Sequence, residues 1–259
     1  MKHTSNLSLT TVEPVQHLHQ AQLSEAPVAV SINGISQAVM MISPDHLKDF
    51  ALGFALSEGL ISSAQEVLDI AIHSHDNGWQ VDLHVLSRTI HQLKQRRRTM
   101  AGPSGCGLCG LDSLQAAMTL NTKQVNIPEN QLTVPSPEVI IQAKDDLPKI
   151  LQSAGGKRGN HSAAFFALSG QVIAHREDVG RHSALDKLIG CLSSNNDLKT
   201  AGFVLMTSRC SHDLVAKAAQ LSLTTLVTLA QPTTLAVESA RKTQVALFCF
   251  QQKQLKRFA

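Results

Sequence analysis

The hydrophobic positions of this chain change their period several times, and each change predicts an element. PVAVSI and ISQAVMM flank Asn33-Gly34, a dipeptide that tolerates the positive φ of a two-residue turn, so a β-hairpin is expected to open the fold. The period then lengthens. Leu47, Phe50, Ala51 and Phe54 recur at i, i+3, i+4 and i+7 behind Ser43-Pro44, which reads as N-cap and first position of a helix ending near Gly59. A second hairpin follows in VLDIAIHS and WQVDLHVL around Asp76-Asn77-Gly78, with Val81, Leu83 and Val85 alternating onto one face.

Periodicity fades from Arg88 to Met100, where five basic residues occur without an acidic one, and returns as a weak helix near 112–119. Ser136-Pro137-Glu138 then begins a helix whose buried stripe is Val139, Ile140, Ala143, Leu147, Ile150 and Leu151, stopped by Gly155-Gly156. Beyond it, AAFFAL, QVIAH, GFVLMTS, TTLVTLA and VALFCFQ alternate with helical stretches from about 181, 212 and 234. That β-α-β-α-β order predicts an α/β layered sheet. The expected organisation is a polar leader over residues 1–24, a small α+β unit over 25–110 and an α/β domain over 111–259.

Composition narrows the function classes. With 43% hydrophobic and 17% charged residues in 259, the chain can form one or two real cores. No apolar run approaches the ~20 residues that span a bilayer, and the N-terminus lacks a signal-like apolar region, so a cytoplasmic protein is expected. A formal charge of +3, 3% aromatics and no Tyr argue against a bulk nucleic-acid binder. Five cysteines, an odd number, do not form a secreted disulfide framework.

Cys106 and Cys109 stand in a CxxC bracketed by Gly105, Gly107 and Gly110, an accessible loop beside the cationic run Arg96-Arg97-Arg98. A thiolate nucleophile needs that access and that positive field. Other readings compete. A structural zinc site needs four ligands, and Cys191, Cys210 and Cys249 are isolated, so no metal site is expected. A thioredoxin-type site belongs between a strand and a helix early in a βαβ unit, which this loop resembles poorly. His175-Arg176-Glu177 has the His-x-Glu of zinc deaminases, but the cysteines precede it rather than follow it.

Two strand-to-helix turns, Glu177-Asp178-Val179-Gly180-Arg181-His182 and Thr207-Ser208-Arg209-Cys210-Ser211, fall where open α/β sheets collect ligands, with helix N–H groups available to anions. Asp178 and Ser211 are equally suited to capping those helices. The glycine-rich loop Gly155–His161 matches no Walker A pattern.

Together these residues resemble the formate dehydrogenase accessory sulfurtransferases, the FdhD family. The resemblance rests on Asp49-Phe50-Ala51-Leu52-Gly53-Phe54 with Leu56-Ser57-Glu58-Gly59, on the CxxC loop, on Glu177 to His182 with Ala184-Leu185-Asp186-Lys187, on Ser208-Arg209 with Ser211, and on Pro232-Thr233 with Leu235-Ala236. It implies a homodimer with a cytidine-deaminase-like three-layer α/β/α C-terminal domain lacking deaminase chemistry. It also implies that sulfur from a cysteine desulfurase is carried as a persulfide on Cys106, with Cys109 as its partner. The sulfur passes to the molybdenum cofactor, bis-molybdopterin guanine dinucleotide, which enters formate dehydrogenase. The family's cofactor-binding stretch falls on Phe248, Cys249, Phe250, Gln251, Gln252 and Lys253. Three departures stand out: Lys157-Arg158-Gly159-Asn160 separates Gly155-Gly156 from His161, Phe250 replaces an expected Arg, and Asp213 an expected Glu. The alternative function is a carrier of the same cofactor that does no chemistry.

Overall fold

A computed structural model describes residues 23–90, 134–156 and 159–259. The leader up to residue 22, the CxxC loop with most of its basic approach, the helix expected near 112–119, and Lys157 and Arg158 lie outside the described residues.

The N-terminal hairpin forms as expected, from β1 (Ala26–Ile32) and β2 (Ile35–Ile42), with Asn33 at φ 47° and Gly34 at φ 75° in the turn. The second hairpin is β3 (Val67–His75) and β4 (Gly78–Val85). The two join into one four-stranded sheet of order β2-β1-β4-β3, with β1 and β4 parallel at its centre. Local pattern predicts each hairpin but contains nothing about this central pairing.

Helix α1 (Leu47–Ser57) begins three residues later than Ser43-Pro44 suggests, behind His46 in the left-handed region at φ 49° without a side-chain cap. The reason is tertiary. Ser43 spends its groups elsewhere: its N–H donates to Asp178 Oδ2, and its Oγ accepts from Val179 N–H. Asp178 and Val179 lie far along the chain, so the serine docks distant segments instead of capping a helix.

The second sheet is six-stranded, order β10-β9-β8-β7-β5-β6. It comprises β5 (His161–Ala167), β6 (Val172–Asp178), β7 (Gly202–Arg209), β8 (Thr225–Ala230), β9 (Ala246–Gln251) and β10 (Gln254–Arg257). Strands β7, β8 and β9 are parallel, while β5, β6 and β10 pair antiparallel to their neighbours. Strand β10 was not expected. Its turn holds Gln252 at φ 50° and Lys253 at φ 67°, left-handed positions filled without the glycine or asparagine that would have announced them.

Helix α2 (Pro137–Ser153) starts on Ser136, whose Oγ accepts from Val139 N–H, and covers one face of this sheet through Ile140, Ala143 and Leu147. The opposite face carries α3 (Arg181–Ser194), α4 (His212–Gln220) and α5 (Thr234–Thr243). The three-layer α/β/α arrangement is therefore present. A fourth layer follows, because α1 packs among these helices and the four-stranded sheet closes over it. Enclosed on both sides, α1 buries Leu52, Ala55, Leu56 and Ser57 as well as the predicted Leu47, Phe50 and Ala51. No described helix is long and apolar enough to cross a membrane.

Candidate functional site

Two polar regions organise the described residues, and motif residues supply both. The first is the seam where α1 crosses α3. A Cβ on Gly53 would overlap the Asp186 carbonyl, and one on Gly190 would overlap the Asp49 carbonyl, so the two backbones touch. Beside this crossing, Lys217 of α4 donates to Asp186 at 2.9 Å, to Ser57 at 2.9 Å and to Glu58 at 2.7 Å, and Ser57 Oγ donates to Asp186 at 2.7 Å. Burial pulls Lys217 down, but the Asp186 and Glu58 carboxylates outweigh it and hold the ammonium above its ordinary value. Lys187 forms the counterpart, 2.8 Å from Asp178, with further bonds to Asp45 and the Ser43 carbonyl. Arg176 Nη2 lies 2.7 Å from Asp49 Oδ2.

These contacts assign structural work to Asp49, Gly53, Ser57, Glu58, Asp178, Asp186 and Lys187. Asp178 is not the cap of α3; Gly180 holds that position, and Asp178 Oδ1 accepts its N–H at 2.8 Å. Thr233 caps α5 by accepting from Ala236 N–H, which accounts for the Pro-Thr-x-Leu-Ala run. The seam had one overlooked signal. Lys217 shares a helical face with Leu214, Ala218 and Leu221, and a lysine on an apolar stripe needs a buried partner.

The second region is the edge where β6, β7 and β8 end, β5 begins, and α3 and α4 start. His182 Nε2 and Ser211 Oγ share a 3.2 Å hydrogen bond, so Ser211, the N-cap of α4, does not cap with its side chain. Asp213 Oδ2 approaches the same nitrogen at 3.8 Å. A serine and a carboxylate on one imidazole nitrogen do not make a nucleophilic triad, in which they hold opposite nitrogens. Burial and then the Arg181 guanidinium lower the pKa of both His161 and His182, keeping these rings neutral near pH 7. His175 and Glu177 face elsewhere, lining a cleft with Asp45, His46, Ala154 and Arg176. Among the described residues no three His, Cys, Asp or Glu side chains are placed to hold a metal ion.

Cys106 and Cys109 lie outside the described residues, and the last described residues before their segment are tied to the first unit. Thr89 donates to Glu66, whose other carboxylate oxygen accepts Ser62 N–H just beyond α1, and Glu58 at the end of α1 reaches Lys217. The other cysteines are enclosed. Cys191, Cys210 and Cys249 are free and buried; burial raises all three thiols, Cys210 to about 12.

The stretch 248–253 is divided by its geometry. Phe248 and Cys249 are buried, Phe250 and Gln251 are partly covered, and only Gln252 and Lys253 of the stretch are exposed, in the β9–β10 turn. Phe250, in place of the expected Arg, lies under Lys144 Nζ at 5.3 Å, bound to α2 by a cation–π contact.

Comparison with known proteins agrees over nearly the whole length. The chain is 38% identical over 260 residues to the sulfur carrier protein FdhD of Acinetobacter baylyi, covering 95% of this chain and 90% of that protein. It is 41% identical to the sulfur carrier protein FdhD of Cupriavidus necator, covering 87% and 77%. The fold resembles a crystal structure described as a formate dehydrogenase accessory protein from Desulfotalea psychrophila, with TM-score 0.60, 20% identity and coverage of 91% and 86%. A profile of the FdhD/NarQ family matches residues 23–258. With the motifs that close the seam and those that line the edge both inside that match, this chain belongs to the FdhD/NarQ family.

Proposed function

We propose that this protein is a sulfur carrier. It takes sulfane sulfur from a cysteine desulfurase as a persulfide on Cys106 and gives it to a bis-molybdopterin guanine dinucleotide substrate for formate dehydrogenase. One observation carries the reading beyond the names of its relatives: three of the five cysteines are core residues with raised thiol pKa values. A thiol held protonated in an apolar core is neither a nucleophile nor an acceptor. Sulfur chemistry therefore falls to Cys106 and Cys109.

The steps balance. The Cys106 thiolate attacks the outer sulfur of the desulfurase persulfide, forming Cys106–S–S⁻ and releasing the desulfurase thiolate. The Cys109 thiolate then attacks the inner sulfur of the protonated persulfide. A Cys106–Cys109 disulfide forms and HS⁻ leaves; with one proton from solvent it replaces an oxo ligand of the substrate's metal, and the oxygen departs as water. A dithiol reductant restores both thiols. The exposed turn at Gln252-Lys253 and the polar edge are the parts of the described surface that suit a phosphate-bearing substrate.

Intact mass after incubation with a desulfurase and cysteine tests the reading. One added sulfur atom is expected on the wild type and none on Cys106→Ala; an unmodified wild type overturns it. If both Cys106→Ala and Cys109→Ala support full formate dehydrogenase activity in a complemented strain, the protein carries the cofactor without chemistry. Light scattering on the purified chain reads the homodimer that belongs to the same proposal.

A further inference from the structure

The outer strand of a sheet presents unpaired N–H and C=O groups, and folded chains guard such edges with charged side chains, proline or bulges. The two sheets have four outer strands, β2 and β3 in one, β6 and β10 in the other. Three of them are guarded by charge. Strand β3 carries Asp69, β6 carries Arg176, Glu177 and Asp178, and β10 carries Lys256 and Arg257. Strand β2, ISQAVMMI, has no charged residue and no proline, and among the described strands only β1 pairs with it.

The side chains of β2 extend the exception. Its pairing with β1 shifts register at Val30 and Ser31, which leaves Gln37 without a partner and residues 38–42 as the regular part of the strand. Within that part Val39 is 65% exposed and Met41 53%, on the face opposite the one that Val28, Val30 and Ile42 bury against the core. They stand across from Ala29 and Pro27 of β1, and the same face turns polar only at Gln80 and Asp82 of β4. Apolar residues exposed singly are ordinary, whereas a cluster of them beside an open, uncharged strand marks a contact surface.

We propose that β2 pairs with the same strand of a second copy of this chain, antiparallel across a two-fold axis at Met40. The strand suits its own copy, because a two-fold contact sets like against like and β2 has no charge to be repelled. Val39 and Met41 are placed symmetrically about Met40, so the axis sets Val39 opposite the partner's Met41 and Met41 opposite the partner's Val39. Each exposed apolar side chain is then covered by another. The two four-stranded sheets join edge to edge, and the free backbone groups of both β2 strands find partners. That this pair is the homodimer of a sulfur carrier rests on the proposed function; the pairing of the strands does not.

The test is the mass of the full chain by size-exclusion chromatography with light scattering at micromolar concentration. The wild type should be a dimer. Val39→Lys combined with Met41→Lys should weaken it roughly a hundredfold or more, to a monomer, because each new ammonium faces another across the axis. Both positions are more than half exposed in the single chain, so the variant should keep the circular dichroism of a folded protein. Val39→Glu combined with Met41→Lys should remain a dimer, since the axis now sets each glutamate opposite a lysine. A dimer that survives the two lysines overturns the placement on β2 and leaves a homodimer standing elsewhere. A monomeric wild type overturns the pairing and the homodimer together, and means that β2 is covered from within the chain or by a different protein. Equal dissociation of the lysine pair and the glutamate–lysine pair overturns the axis at Met40. Persulfide formation on Cys106, read separately by intact mass, is independent of all these outcomes.

Discussion

Where α1 crosses α3, Lys187 and Lys217 are enclosed together with Asp178 and Asp186, and every one of these charges has partners. About one and a half turns away along the same α3 helix, Arg181 has no counter-ion among the described residues, and Ser211 is diverted from its cap. Both regions draw on the same kinds of side chain, but those of the seam are buried while Arg181, His182 and Ser211 are only partly covered. The two regions differ in kind: saturated polar groups fix one arrangement of the two sheets, and unsaturated ones keep bonding capacity unused. A motif residue is thus not automatically a ligand contact. Most of the motif residues described here hold the molecule together.

The largest effect that would break this contrast is at Asp186. Asp186→Ala leaves Lys217 enclosed with only the half-exposed Glu58 and Ser57, and should cost about 3–5 kcal/mol, a fall in Tm of ~6–20 °C for a chain of this size. The double variant Asp186→Leu with Lys217→Met should lose much less, since no charge is left unpaired. Equal losses in a thermal melt would deny the seam its electrostatic character. Next comes Gly190→Ala, which places a methyl group against the Asp49 backbone and should cost about 1–3 kcal/mol by forcing the helices apart. Urea midpoints read that change, and an unchanged midpoint would show that the crossing is loose.

A smaller effect follows from histidine. His46 and His175, which flank the Arg176–Asp49 pair, and His161 and His182 at the edge all have pKa values lowered in the folded state, chiefly by burial and then by Arg176 or Arg181. Asp45, Asp49 and Glu177 oppose this at the seam, and Asp178, Asp213 and Glu58 at the edge, without reversing it. The unfolded chain therefore binds more protons below about pH 6.5, and stability should decline from there until the folded pKa values are passed. Melts between pH 5 and 8 should show this slope, and a flat profile contradicts the depressed values. The smallest stability change belongs to Lys253→Glu, on an exposed turn: under ~0.5 kcal/mol in the free protein. The same substitution should weaken GDP binding without affecting the persulfide, which calorimetry and intact mass resolve. Undiminished GDP binding would remove residues 248–253 from the ligand surface.

The sequence reveals what short-range pattern controls. Asn33-Gly34 announces its turn, the stripe of Ile140, Ala143 and Leu147 its helix, and the alternation after residue 160 its α/β sheet. It misleads where a distant partner outbids a local preference. Ser43 looks like a cap until Asp178 and Val179 claim its groups, and Ser211 is a cap by position whose hydroxyl serves His182. The β9–β10 turn was hidden because Gln252 and Lys253 adopt left-handed backbones that the pairing of β10 with β9 imposes. For the candidate site, the CxxC could be read directly, whereas the empty valence of Arg181 could not. An unpaired cation is defined by what does not surround it, and no pattern along the chain encodes that.

The contact of α1 with α3 also bears on how the protein is made. Strands β1 to β4 and α1 leave the ribosome first, but the face of α1 carrying Gly53 and Ser57 is covered only when α3 emerges, about 120 residues later. At ~5–20 residues per second that is a delay of about 6–24 seconds, during which an apolar helix face and the polar groups meant for Asp186 and Lys217 meet only water or a chaperone. The N-terminal sheet thus waits for the C-terminal half to complete it, and a chain truncated before residue 181 should be found in aggregates or bound to chaperones rather than as a folded fragment.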